Sequence, residues 1–438
     1  MNKYTPVIGL EIHTELKTQS KMFCRCSANW FGKEPNSNTC PVCLGLPGAL
    51  PVPNKKAVEW TILIAKALNC TINKTSKFDR KHYFYPDLPK AYQISQYDEP
   101  IGVNGWLEVK NLKMDKPKKF HITRVHLEED TGKLMHEGAE TLVDFNRSSV
   151  PLVEIVTEPD FDNSDDVKVF LEELRTIIRY LDVSDADMEK GSMRLEPNIS
   201  IRLNGQKELP NYKVEVKNIN SFQFVKNAID FEVLRHIQII EKGETPIQET
   251  RGYVEATKST VSQRTKEEAH DYRYFPEPDI PPMVFSGEFL NSITVPELPV
   301  DKMNRYIKDF GLKFEDAFIL TREKQTADYF ESILSKLPSQ SDAIKIANFI
   351  INKKIATDIS VKDFVLKAEE LLSPKKTDEH GLQKAITNVI RANTRAVDEY
   401  KNGKESVIMF LVGMVMREMK GSADATLVKK TLEEKLRN

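Results

Sequence analysis

Stretches 7–16, 120–130, 151–159, 197–203 and 212–219 each alternate apolar with polar residues, and this period of two restricts the fold more than any other feature. Successive side chains on a strand leave opposite faces, so each run can bury its apolar half only by joining a sheet. Glycine and proline punctuate the gaps between the runs. Two stretches have helical spacing instead. From Ser164 onward Val167, Phe170, Leu171, Leu174, Ile177, Ile178 and Leu181 share one face, which reads as core. A second helix is expected from about Phe222 to Lys242, with Gly243 supplying the left-handed residue that ends it. The predicted class is α+β, with a mixed sheet and helices in an N-terminal region.

Prolines cluster at Pro276, Pro278, Pro281 and Pro282, and a softer linker follows around Pro296 and Pro299. Beyond it the composition turns to helix formers, which predicts a boundary near residue 293. Short helices are expected through Tyr329, Phe330, Ile333 and Leu334 and through Ile344, Ala347, Ile350 and Ile351. A break at Ser373-Pro374-Lys375-Lys376 sets off a last segment. There one helix turns Val407, Ile408, Leu411, Met414 and Val415 inward and stops at Gly421, and a final helix uses Val428, Leu432 and Leu436. The expected domains are 1–293, 294–372 and 373–438. With 63 Lys+Arg against 65 Asp+Glu, the net charge of -2 excludes a general polyanion binder, so nucleic-acid contact would need local basic patches. The N-terminus has no signal-peptide form, and no run reaches the roughly 18 apolar residues of a membrane span. A cytoplasmic protein is expected.

Cys24-x-Cys26 and Cys40-x-x-Cys43 offer four soft ligands from two short turns, a set that suits a closed, structural tetrahedral Zn²⁺. Four reduced thiols in a loop is the plainer alternative. Cys70 reads as a small hydrophobe. An acidic set comprises Glu11 and His13 on one strand, Glu128, Glu129 and Asp130 at the end of another, and Glu154 on a third. Residues i and i+2 share a strand face, so Glu11 and His13 can enter one site. Hard oxygen ligands from separate strands are what Mg²⁺ takes when it also holds nucleotide phosphates. Solvated strand edges, and for His13 an ordinary hydrogen-bonded histidine, are the competing readings. The stretch 80–92 interleaves Arg80, Lys81, Tyr83, Tyr85 and Lys90, residue types that stack on bases and pair with phosphate. A half-buried Tyr-rich strand would look the same, and the run 270–279 shares this ambiguity. Neither G-x-x-x-x-G-K-[ST] nor G-x-G-x-x-G occurs, and there is no nucleophile elbow.

Taken in order, VIGLEIHTELKT, FDRKHYFYPDLPKAYQISQ, RVHLEEDTGK, DFNRSSVPLVEIVTEPD, EVKNINSFQFV and DYRYFPEPDIPP resemble the B subunits of the glutamine-dependent aspartyl/glutamyl-tRNA amidotransferases. The resemblance runs from the first strand to the last helix. It implies an N-terminal cradle of mixed sheet and helices, an all-α linking domain and a small all-α tail. It further implies a ligase component that binds misacylated Asp-tRNA(Asn) and/or Glu-tRNA(Gln) and activates the side-chain carboxylate with ATP and Mg²⁺. Ammonia would come through a channel from a glutaminase A subunit, with a small C subunit holding the pair. Glu11, His13, Glu128 and Glu154 fall at the family's Mg²⁺ and ATP site, with Lys81 and Tyr83 as further nucleotide contacts, and Lys90 falls near the channel mouth. Zinc would be structural, because some members lack the cysteines. Glu196-Pro197 stands where Asp-Ala is expected.

The tail carries Lys401, Lys404, Arg417, Lys420, Lys429 and Lys430, a plausible grip on an RNA backbone, although Glu405, Glu418, Glu433 and Glu434 lie among them as on any solvated face. A non-catalytic zinc-containing tRNA-binding module is the alternative function. Convergent carboxylates argue against it, since a passive RNA binder has no use for them. An aminoacyl-tRNA synthetase is disfavoured by the lack of HIGH-like and KMSKS-like segments.

Overall fold

The computed structural model describes residues 3–265, 272–337, 342–372, 379–419 and 423–437. The chain divides into two compact units, Met1–Asp328 and Tyr329–Asn438. The first is built on a nine-stranded sheet. Its strands are β1 (Tyr4–Glu15), β2 (Thr71–Ile72), β3 (Gly102–Val109), β4 (Lys118–Glu129), β5 (Pro151–Thr157), β6 (Met193–Leu203), β7 (Val214–Lys217), β8 (Glu249–Val254) and β9 (Ser259–Thr265). They lie in the order β9-β8-β7-β6-β1-β5-β4-β3-β2. Neighbours are antiparallel except β7 and β8, which run parallel, so the sheet is mixed as the sequence predicts.

The five alternating runs form the contiguous middle of this sheet, β7-β6-β1-β5-β4. Register sorts their side chains. Ile8, Leu10 and Ile12 of β1, Val153 and Ile155 of β5, and Val125 and Leu127 of β4 are buried in the core. The odd partners in β1 (Glu11, His13, Glu15) lie on the other face, where His13 pairs with Glu154 and Glu154 with His126. Helix α1 (Lys55–Ala67), α2 (Ser164–Tyr180) and α3 (Phe222–Glu241) contribute Ile62, Phe170 and Val225 to the same core as the apolar sheet residues. Hence one face of the sheet is a hydrophobic core and the other is free to be polar.

Local chemistry starts and stops these helices. Asn163 caps α2 by accepting from the Asp166 N–H, with Asp165 and Asp166 in the first turn, where the helix dipole favours anions. Ser221 caps α3 in the same way, and Gly243 takes φ +82 just past its end. Val167, Phe170, Leu171, Leu174, Ile177 and Ile178 are all buried. Phe161 stacks on Phe120 at 4.1 Å and meets Phe170 edge-on at 5.1 Å. Truncating such a ring to alanine costs ~3–5 kcal/mol.

Considered by itself, the second unit is helical: Ala343–Ile351, Val361–Leu372, Glu379–Ala392, Thr394–Lys401, Val407–Glu418 and Ala425–Arg437. The last four pack Leu382, Ile386, Leu411, Val415, Val428 and Leu432 into one core. Ile408 is buried as expected, whereas Val407 and Met414 are only half-buried and Val412 takes an inward place. Ile344 is exposed while Ala347 and Ile350 are buried, because the inward face of that helix runs through Ala343, Ile346, Ala347 and Ile350. The break at 373–376, Lys420 and the stop at Gly421 lie outside the described residues, as do His270 and Asp271 of the second aromatic run. No helix among the described residues is long and apolar enough to cross a membrane.

Candidate active site and cysteine cluster

The polar face of the sheet forms one wall of a cavity of about 560 Å³. Strand register assembles two groups of ligands there. In the first, His13 Nε2 lies 3.5 Å from Glu154 Oε2 and 3.7 Å from Glu128 Oε1. His126 Nε2 closes on the same carboxylates, at 3.1 Å from Glu154 and 3.8 Å from Glu128. The Ser95 hydroxyl donates to Glu128 at 3.0 Å. In the second, Glu11 stands directly opposite Glu196 in the register, and Glu215 joins them from β7. Within each of the triads His13/Glu128/Glu154 and Glu11/Glu196/Glu215, one ligand atom per residue lies within 4.8 Å of the others. Glu11 therefore belongs with Glu196 and Glu215 rather than in the triad of the other three expected ligands. Glu196 keeps a carboxylate where an aspartate was expected.

Like charges directly opposite on a sheet repel, so something must offset them. Around Glu196 part of that comes from Lys217, 3.0 Å from Glu196 and 3.4 Å from Glu215, although burial still raises Glu196 above the usual carboxylate range. Asn198 donates to Glu11 at 2.9 Å. In the histidine group, burial opposes a charged His13, but Glu154, Glu196 and Glu128 outweigh it and hold the imidazole up to about 9. Burial would raise Glu154 and Glu128 as well, yet both are lowered; His126 is the main cause, with His13 assisting. Among the described residues the Nδ1 atoms of His13 and His126 are buried without a hydrogen-bond partner. A pocket that holds both imidazoles up and both carboxylates down is one whose field favours a proton or another positive charge. A divalent cation on these oxygens would take the place of that proton, and carboxylate plus imidazole is a donor set that Mg²⁺ or Mn²⁺ accepts.

Lys81 and Tyr83 line the same cavity, together with Arg124, Lys213, Tyr272 and Tyr274. Lys81 Nζ lies 4.9 Å from the Tyr272 ring centre and 5.8 Å from that of Tyr83. Burial would neutralise this amine, but Tyr274, Tyr83, Glu128 and Glu154 keep it cationic. Lys90 is bound elsewhere: it does not line the cavity, and its Nζ pairs with Glu129 at 2.7 Å, with its side chain only 8% exposed. Asp130 accepts from Arg194 at 2.6 Å, and Glu15 accepts from the Trp30 indole at 2.9 Å. Burial and then Asp130 push Glu15 up to about 8, whereas Arg194 and Arg147 overcome burial and hold Asp130 down to about 2. Sequence reasoning missed His126, Glu215 and Lys217. Each sits two residues from a singled-out or paired ionisable group, and that i, i+2 spacing on an alternating strand was the available signal.

The four expected cysteines also converge. One sulfur from each of Cys24, Cys26, Cys40 and Cys43 lies within 4.8 Å of the rest, and Cys40 and Cys43 are 3.9 Å apart. A tetrahedral shell with Zn–S bonds of about 2.3 Å needs sulfurs roughly 3.8 Å apart, so the set fits zinc. Donation from Cys24 holds Cys43 down to about 5 despite burial, with Lys21, 3.7 Å from its sulfur, assisting. The site is closed by protein ligands, which is the structural pattern.

The chain matches the GatB/GatE catalytic domain over residues 6–291 and a GatB domain over residues 298–436. It is 44% identical to the B subunit of the aspartyl/glutamyl-tRNA(Asn/Gln) amidotransferase from Carboxydothermus hydrogenoformans, across 100% of this chain and 99% of that protein. The protein of the same name from Brevibacillus brevis is 42% identical over 100% and 99%, and that of Persephonella marina 43% identical over 99% and 100%. By two domain matches that span nearly all of its length, and by identity to whole relatives, the chain belongs to the family of B subunits of the aspartyl/glutamyl-tRNA amidotransferases.

Proposed function

We propose that this chain binds misacylated Asp-tRNA(Asn) and/or Glu-tRNA(Gln), phosphorylates the side-chain carboxylate with ATP, and amidates the product with ammonia from a partner glutaminase. The observation that carries the reading is the pair of carboxylate groups on one cavity wall, with Lys81, Arg124 and Lys213 lining the same space. A carboxylate substrate and a triphosphate repel each other, and a bare carboxylate is a poor electrophile. Mg²⁺ held by His13, Glu128 and Glu154, with Glu11 beside them, would supply the charge that lets the two anions meet. Lys81, with Tyr83 beside it, would hold nucleotide phosphate and base.

A carboxylate oxygen of the aminoacyl group attacks the γ-phosphorus, giving the acyl phosphate and ADP. Ammonia then adds to the carbonyl carbon, the carbon–oxygen bond to phosphate breaks, and the extra proton of the amine leaves to solvent or a nearby base. Lys90, paired with Glu129, would stand on the ammonia path and exchange partners as NH₃ passes. The four cysteines would hold a structural Zn²⁺ that fixes their loops.

In this reading residues 1–293 form the catalytic cradle, 294–372 a helical link and 373–438 a tail that grips tRNA. The partners are a glutaminase A subunit and a small C subunit, and the complex works in the cytoplasm. The test is to supply the reconstituted complex with ATP and misacylated tRNA but no ammonia source, and to trap with hydroxylamine. Hydroxamate on the side-chain carboxyl that requires ATP supports phosphorylation. Tight tRNA binding without any side-chain hydroxamate would favour a non-catalytic tRNA-presenting module.

A further inference from the structure

The second cysteine turn touches one other element in an unusual way. Past Cys43 the chain closes on itself, with the Leu44 N–H donating to the Cys40 carbonyl at 3.1 Å, Gly45 to Val42 at 3.0 Å and Leu46 to Pro41 at 2.9 Å. Gly45 takes φ +65, a left-handed conformation that side-chain-bearing residues rarely adopt. A Cβ at Gly45 would lie 2.2 Å from Lys90 Cγ, 3.1 Å from its Cδ and 3.2 Å from its Cβ. The stem of Lys90 thus lies directly on the α-carbon of Gly45. The clash falls near the root of the lysine, so it cannot be relieved by moving the tip. The tip is fixed as well, since Nζ pairs with Glu129 at 2.7 Å and Glu129 also accepts from the Ile94 N–H at 3.0 Å. The cysteine turn is itself tied down from outside: Ser148 donates to the Cys43 carbonyl at 3.3 Å, and Lys21 donates to the Asn38 carbonyl at 2.9 Å and the Phe145 carbonyl at 3.3 Å.

We propose that Gly45, in the turn closed by Cys40 and Cys43, is a positioning residue for Lys90, so that the cysteine cluster and the Lys90–Glu129 pair behave as one mechanical unit. The missing side chain leaves the groove that the lysine stem occupies, and the folded turn keeps that groove in register with Glu129. The cysteine cluster thereby reaches the reaction through a single amine. The consequence for amidation rests on the reading of Lys90 given above; the positioning itself does not.

The experiment is Gly45→Ala in the full chain, compared with Lys90→Ala. Amine acylation at Lys90, followed site by site by mass spectrometry, reports its position without reference to activity. In Gly45→Ala, with zinc content unchanged and the melting temperature lowered by only the few degrees such strain costs, Lys90 should label ~10-fold faster, the scale of local opening that backbone strain of this kind brings. In the reconstituted complex, glutamine-supported amidation should fall by a similar ~10-fold factor while ammonia-supported amidation holds. An unchanged labelling rate overturns the proposal. Faster labelling with intact glutamine-supported amidation, where Lys90→Ala is impaired, also overturns the functional coupling. If Lys90→Ala is itself unimpaired, the ammonia-path reading of Lys90 fails, and faster labelling still upholds the positioning. Should Gly45→Ala not fold, zinc is withdrawn from the native chain by a chelator and then restored. Labelling that rises and falls back supports the unit, and labelling indifferent to zinc contradicts it.

Discussion

Cys24, Cys26, Cys40 and Cys43 are carried by loops, whereas His13, Glu128 and Glu154 are carried by three neighbouring strands. The two sets meet opposite problems. Loops have no ladder to hold them, so four sulfurs from two turns depend on hydrogen bonds from outside to converge, and a closed metal shell would tie them further. Strands are already fixed by the sheet and place their side chains without help. What they cannot do is make two buried carboxylates and the imidazoles of His13 and His126 comfortable, and the pocket raises His13 to about 9 as a result. In the first set a metal would serve the fold. In the second the fold, at some electrostatic cost, would serve a cation.

This contrast can be broken from either side. Replacing all four cysteines by serine should abolish zinc binding and cost the first unit ~3 kcal/mol or more, because the site's metal affinity is folding energy. The folded fraction should keep ammonia-supported amidation, measured beside metal content and thermal unfolding. Retained zinc, or ammonia-supported amidation lost in a fully folded variant, would erase the distinction between the two clusters. A smaller effect is expected from removing the tail, residues 373–438. Its core of Leu382, Ile386, Leu411 and Val428 is its own, and basic residues such as Arg417 and Lys429 sit on its helices. Each lost phosphate contact weakens RNA binding modestly, so the KM for misacylated tRNA should rise ~10-fold with glutamine hydrolysis unchanged. Unaltered KM would place the tRNA grip elsewhere.

Legibility in the sequence followed the same division. The five central strands could be read because each alternates cleanly, and α2 because Val167, Phe170, Leu171 and Leu174 mark one face. β2 is two residues long, and β3, with Gly102 and Gly105 inside it, dilutes its own pattern. The cysteine set was legible because its spacing is local. His126 was not, since a lone histidine on a strand looks ordinary until β5 brings Glu154 opposite it. The separation of Glu11 from His13 into different groups depends on which neighbour each faces, Glu196 or Glu154, and register is not written in either strand alone. The contact between Gly45 and Lys90 joins a turn to a distant loop, and no pattern of period or spacing reports it.

The central claim is that the strand-borne cluster activates the carboxylate, and Glu128→Ala tests it most directly. Glu128 faces both histidines and lies in a triad whose geometry the sheet supplies, so its loss should leave the fold and tRNA affinity intact. On the reconstituted complex, glutamine-supported amidation, ammonia-supported amidation and tRNA-dependent ATP hydrolysis should fall together by more than ~100-fold, beyond what losing an outer partner of a metal site costs. Ammonia-supported amidation that persists near the wild-type rate would contradict the account and move the phosphorylation site away from this triad.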